Sequence, residues 1–132
     1  MSNYGKSSLG LDANVVAMLC YVANLVCYLG LILSIITIVQ DKTNKLARFH
    51  AFQSIFWLIA NIVVIIPLYI VMFVGVFVDQ AIGFPVVSGI LMLVMLVYSL
   101  AMLFFFIMVS IKAFGGEMYK IPVIGGFAEK YA

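Results

Sequence analysis

Hydrophobic positions run through this chain in three long stretches without a charged side chain, residues 14–40, 51–78 and 81–111. A helix that crosses a bilayer needs about 20 apolar residues. Each stretch is therefore long enough to cross once with some tilt and too short to cross comfortably twice. The pattern predicts an all-α transmembrane helical bundle of three spans, over about 14–40, 51–78 and 86–112. These form a single membrane domain, followed by an interfacial C-terminal tail over 113–132.

Local chemistry marks the ends of these helices. Asp12 is a candidate N-cap for the first span, because a carboxylate accepts from the free N–H groups of a first turn. Gln40 to Asn44 is a polar break, and Asn44 can cap the second span. Val78-Asp79-Gln80 and Gly83-Phe84-Pro85 form the second turn, with Pro85 suited to the first turn of the third span. Gly115-Gly116 ends that span, since glycine accepts the left-handed cap conformation. Pro67 interrupts the second span, removes one hydrogen bond and predicts a kink.

Two faces carry the candidate site. On a helix, His50, Gln53, Ser54, Trp57 and Asn61 fall on one polar stripe that begins beside Arg48. Polar groups are costly in hydrocarbon, so the stripe should face protein or water. It serves either as a binding face or as a set of interhelical hydrogen bonds. Arg48 is expected at headgroup level. Cys20, Ala23, Cys27, Gly30 and Ser34 form a line of small residues that would let the first span approach a neighbour closely. Beside that line, Asn14, Tyr21, Asn24 and Tyr28 make a polar-aromatic edge suited to the stripe of the second span. The third span carries Ser88, Met92, Met95, Ser99, Met102 and Phe106 on one side, a pattern typical of packing.

Composition sharpens the membrane reading. The chain is 67% hydrophobic and 9% charged, against about 45–50% and about 25% for soluble domains. Lipid must be its solvent. The placement of Lys and Arg in short loops sets orientation. With three spans, Lys6 stands alone on one side, and Lys42, Lys45, Arg48, Lys112, Lys120 and Lys130 share the other. This predicts an external N-terminus and a cytoplasmic C-terminus in the cytoplasmic (inner) membrane. A net charge of +2 without a basic run excludes a nucleic-acid binder. The polar first fourteen residues do not resemble a cleavable signal peptide.

Catalytic motifs are absent: there is no HExxH, GxSxG or P-loop and no acidic pair. The chain is read as not an enzyme, with no metal site and no cofactor expected. Cys20 and Cys27, seven residues apart, fit neither a CxxC motif nor a disulfide framework. His50 keeps open a ligand role toward haem or pigment.

Three segments together carry a family resemblance: Gly10 to Tyr21 at the start of the first span, Leu46 to Ser54 at the start of the second, and Tyr119 to Lys130 in the tail. In order and spacing they resemble a prokaryotic family of small multi-pass membrane proteins of unknown function. That family is related to the Tic-complex protein import component of the chloroplast inner envelope (Tic-twenty-like). The resemblance implies a helical membrane protein without known catalytic residues, and Arg48, His50 and Gln53 match its central motif. The plant branch is drawn with four spans, where three are counted here.

The expected function is an accessory or scaffold subunit of a larger membrane complex, with a possible link to protein translocation or insertion. Its partners would be the lipid bilayer and other membrane subunits or further copies of itself. The alternatives are a small oligomeric channel or carrier lined by the stripe, and a pigment- or haem-binding subunit through His50.

Overall fold

A computed structural model describes residues 4–132. The described residues form five α-helices: α1 (Ala13–Val22), α2 (Leu29–Gln40), α3 (Lys45–Ile82), α4 (Val87–Phe114) and α5 (Ile124–Tyr131). A 3-10 turn over Ala23–Leu25 follows α1, and there is no named strand among the described residues. The protein is all-α, as the apolar runs predict.

Two helices are long and apolar enough to cross a membrane, Lys45–Ile82 with 38 residues and Val87–Phe114 with 28. They contain the second and third expected spans. The first expected span, 14–40, is not one helix. It breaks after Leu25, where Val26 is extended and Cys27 and Tyr28 take positive φ of 48° and 59°. Two short helices result, α1 of 10 residues and α2 of 12. At 1.5 Å per residue they are about 15 and 18 Å long, well short of a hydrocarbon layer about 30 Å thick.

These helices fold back on each other as a hairpin. Near the turn, the backbone of Gly30 lies so close to α1 that a Cβ there would stand 2.6 Å from the Cys20 carbonyl oxygen. At the open end, the Asp41 carboxylate accepts from Ser8 N–H at 3.3 Å. The Asn44 amide donates to the Tyr4 carbonyl at 2.8 Å. The small residues of the expected line thus serve the hairpin's interior rather than one face of a long helix. Cys20, Gly30 and Ser34 are buried, whereas Cys27 is exposed at the turn and Ala23 is half-buried.

The helix ends follow the local chemistry in most places. Asn44 caps α3 by accepting from Ala47 N–H at 3.2 Å. Gly116 has φ 77°, with Glu117 N–H bonded to Lys112 O and Gly116 N–H to Ala113 O, a Schellman ending for α4. Asp12 precedes α1 in extended conformation but makes no side-chain cap bond. The cap of α4 comes from an unexpected residue. Asp79, near the end of α3, accepts from the backbone N–H groups of Val87 and Ser88 at 2.8 Å each. Pro67 is carried within α3.

The chain divides into two compact units. The first joins the N-terminal part through Leu58 to Phe105–Ala132. Its core packs Ala13, Ala17 and Tyr21 of α1, Leu46 of α3, Val109 and Ala113 of α4, and Ile121 of the tail. A second cluster of Val16, Cys20, Ala47 and Ala51 lies beside Leu33 and Ile38 of α2. Alanine and cysteine at so many of these positions let backbones approach closely, the packing mode that works inside lipid.

The second unit, Ile59–Phe104, is a helical pair with large apolar side chains turned outward, among them Val63, Phe73, Leu93 and Val97. Tyr98 donates to the Asn61 side-chain oxygen across the pair at 2.8 Å. Gly75 admits Leu91 and Val87 to within 3.0 and 3.1 Å of where its Cβ would stand.

Candidate functional site

The first four turns of α3 place His50, Gln53 and Ser54 on one face, fully or almost fully buried. Three segments distant in sequence converge on that face: α1, the hairpin return, and the tail after α4. His50 Nε2 lies 2.9 Å from the Glu117 carbonyl oxygen. A carbonyl only accepts, so Nε2 carries the proton and donates. Nδ1 is then an acceptor, and the Tyr21 hydroxyl donates to it at 3.0 Å. Tyr21 in turn accepts from the Gln53 side-chain amide at 3.1 Å.

Gln53 completes the link to the tail. Its amide nitrogen also donates to the Tyr119 carbonyl at 3.0 Å, and its oxygen accepts from Ile121 N–H at 3.2 Å. One side chain thereby holds two backbone groups of the tail and one side chain of α1. Ser54 donates to the Cys20 carbonyl at 2.7 Å. The Ser34 hydroxyl, which donates to the Gly30 carbonyl at 2.7 Å, is 3.3 Å from Ser54 Oγ. Asn24 donates to the same Cys20 carbonyl at 3.1 Å.

Such a network is worth more than its separate bonds in a low-dielectric interior, and each lost partner would leave a costly orphan. His50 is also packed edge-on by Phe49 and Tyr21, with ring centroids 5.0 and 5.7 Å away. Both of its ring nitrogens are engaged by protein.

Arg48 works at the edge of this network. Its guanidinium donates to the Ile38 carbonyl at 2.9 Å, to Ala132 O at 3.1 Å and to Tyr131 O at 3.4 Å. These oxygens lie at the C-terminal ends of α2 and α5, where helix dipoles favour a cation. The guanidinium carbon lies 5.6 Å from the Phe52 ring centre. Tyr131 covers Phe52 and Phe56, both at 6.1 Å between centroids. The tail therefore folds back onto the start of α3, held by Arg48 and Gln53. Gly125 makes this possible, since a Cβ there would stand 2.5 Å from Lys120 Cβ and 2.9 Å from Gln53 Oε1.

Of the expected stripe, the structure brings His50, Gln53 and Ser54 together with Tyr21 and Asn24 of the polar-aromatic edge. Trp57 is half-buried against the core of the same unit, with Phe105 at 6.2 Å. Asn61 belongs to the second unit and bonds Tyr98. Sequence reasoning did not find the backbone partners in the tail, the carbonyls around Arg48, or the capping role of Asp79. Gly125 was the one available signal for the first of these. No group of three or more His, Cys, Asp or Glu that could hold a metal ion occurs among the described residues.

The sequence model of the magnetosome magnetite crystal formation protein family (MamF/MmsF) matches residues 12–128. A UPF0132 membrane protein of Methanocaldococcus jannaschii is 33% identical over 133 residues, covering 97% of this chain and 96% of the relative. A second UPF0132 membrane protein of the same archaeon is 31% identical over 125 residues, covering 94% of this chain and 73% of the relative. No solved structure matches the chain. These matches bear out a small membrane protein family; none of the relatives just named is a Tic import component.

Proposed function

The chain belongs to the magnetosome magnetite crystal formation protein family, and from that premise we propose that it is a non-enzymatic scaffold subunit of a membrane assembly. The observation that carries this reading is the closed polar network around Gln53. Its donors and acceptors point inward and fasten α1, α3 and the tail to one another. What remains outside is largely apolar side chains suited to lipid and to neighbouring helices.

A two-crossing topology in the cytoplasmic membrane, with both termini on one side, goes with this reading. Groups in hydrogen-bond contact cannot lie on opposite sides of a hydrocarbon layer about 30 Å thick. Tyr4 meets Asn44 ahead of α3, and Ala132 meets Arg48. All seven Lys and Arg, residues 6, 42, 45, 48, 112, 120 and 130, fall within the first unit. The turn between α3 and α4 has none. A split of seven to none in place of six to one is the stronger positive-inside signal and supports the reading with both termini in the cytoplasm.

The family description concerns magnetite crystals, and four of the five acidic residues of this chain are engaged with its own groups rather than arrayed for a mineral. Glu117 and Glu129 pair with Lys112 and Lys120, Asp79 caps α4, and Asp41 accepts from Ser8. Holding membrane proteins together suits these residues better than contacting a crystal. An assembly that moves or inserts proteins is one class of host for such a subunit. The network weighs against a pore lined by the stripe, whose His50, Gln53 and Ser54 are turned inward. It equally weighs against pigment or haem on His50, whose ring nitrogens already have partners.

Cross-linking in intact membranes, followed by native mass measurement from mild detergent, tests the proposal. A discrete assembly with other membrane proteins or further copies is expected. A lone monomer under both measurements overturns it.

A further inference from the structure

We infer that the α1–α2 hairpin is a wedge of half-bilayer depth, seated among the acyl chains of the leaflet on the side of the termini, and that it draws the protein toward membrane convex on that side. The inference rests on the proposed two-crossing topology and deepens it by naming a lipid partner and a shape.

Three observations on the hairpin agree. Its helices, at 10 and 12 residues, are about 15–18 Å long, close to half of a hydrocarbon core about 30 Å thick. Its turn presents Leu25, Val26, Tyr28 and Leu29 with 72, 59, 62 and 47% of their surface exposed. Along α2, Ile32, Ile35 and Val39 continue that apolar surface on one outward stripe. The opposite, open end carries exposed Lys6, Lys42 and Lys45, beside the contacts that join Tyr4 and Ser8 to Asn44 and Asp41. The hairpin is thus apolar at its tip and cationic at its base, matching acyl chains below a layer of anionic headgroups.

Inside lipid, the turn is helped by side-chain donors in the interior of the hairpin that bond within the chain. Ser34 and Asn24 donate to helix carbonyls, and Gly30 lets the two backbones touch. A hairpin of this depth adds two helix cross-sections, each about 10 Å across, to one leaflet and none to the other. The leaflet with the extra area is relaxed when it lies on the convex side.

The full chain in phosphatidylcholine–phosphatidylglycerol vesicles provides the test. A nitroxide is placed on Cys27 in a Cys20→Ala background, since Cys20 is buried and Cys27 exposed. The expected label is reached by oxygen, shielded from a water-soluble nickel chelate, and deepest near the bilayer centre. Unlabelled Cys27 should resist an impermeant maleimide from either side. Reaction from the side of the termini places the hairpin in water, and reaction from the other side makes it a crossing; either result overturns the wedge. Tags on the two termini, read in the same vesicles, separate the failures, because termini on opposite sides would remove the underlying topology itself. For curvature, the protein should be enriched several-fold in small over large vesicles at equal lipid. Leu25→Ser with Val26→Ser and Leu29→Ser should abolish that preference. Equal partition of the unaltered protein overturns the shape preference.

Discussion

Gln53 uses its amide and carbonyl on three partners at once, Tyr21, Tyr119 and Ile121, and is fully buried. Gln53→Leu keeps much of the volume but strands the Tyr119 carbonyl and the Ile121 N–H. Each buried orphan costs about 1–3 kcal/mol, so with two of them this variant should lose about 2–6 kcal/mol in equilibrium unfolding from detergent micelles. Two adjacent glycines give a sharper residue-scale contrast. A methyl group at Gly125 meets Lys120 Cα at 2.6 Å as well as Gln53 Oε1, whereas nothing lies within 4 Å of one at Gly126. Gly125→Ala should therefore cost about 1–3 kcal/mol as overpacking. Gly126→Ala, inside α5, should be neutral or add about 0.5–1 kcal/mol by helix propensity. Thermal midpoints of the two variants in one detergent check the pair, and equal losses would mean that the tail does not dock as described.

At the scale of elements, α5 depends on Arg48 as much as on its own residues. One guanidinium reaches carbonyls at the ends of both α2 and α5, a spread that a lysine ammonium cannot copy. Arg48→Lys should accordingly free α5 while leaving α3 and α4 intact, seen as faster amide exchange over 124–131 with little change over 59–104. The long helices, their polar stripe, Asn44 and the Gly115-Gly116 ending were legible in the sequence because hydrophobic period and cap chemistry are local signals. The break in the first apolar run was not. Hydrophobicity is blind to whether 27 uncharged residues make one helix or two, and the residues with positive φ are Cys27 and Tyr28 rather than glycine. Gly30, which permits the fold-back, reads in the sequence as one more small packing residue. The stripe was found as a single face, yet Asn61 pairs with Tyr98 in a different unit from Gln53, a division that helical spacing along α3 does not reveal. Asp79 was taken for a loop residue; its capping of a helix that begins eight residues later depends on a turn geometry that composition does not specify.

For the molecule as a whole, the number of crossings decides on which side every basic residue sits. Three crossings would leave Lys6 across the bilayer from Lys45. The contacts Tyr4–Asn44 and Ser8–Asp41 instead bring the N-terminal segment to the start of α3, and Asn14 donates to the Phe114 carbonyl at 2.8 Å. A chain that enters and leaves from one face crosses an even number of times. With two helices of sufficient length, the proposed topology takes that number as two. Single cysteines replacing Ser8, Lys45 and Lys120 in a chain without Cys20 and Cys27 should then react with an impermeant reagent from the same side of sealed vesicles. A cysteine replacing Gln80 should react from the other side alone. Reaction at Ser8 opposite to Lys45 would restore the three-span arrangement, and the N-terminal contacts would have to be broken in the membrane. The positive-inside asymmetry argues the same way energetically: moving Lys6 across would set one cation against the bias of the other six, with no compensating charge in the turn between α3 and α4 except the Asp79 carboxylate already committed to α4.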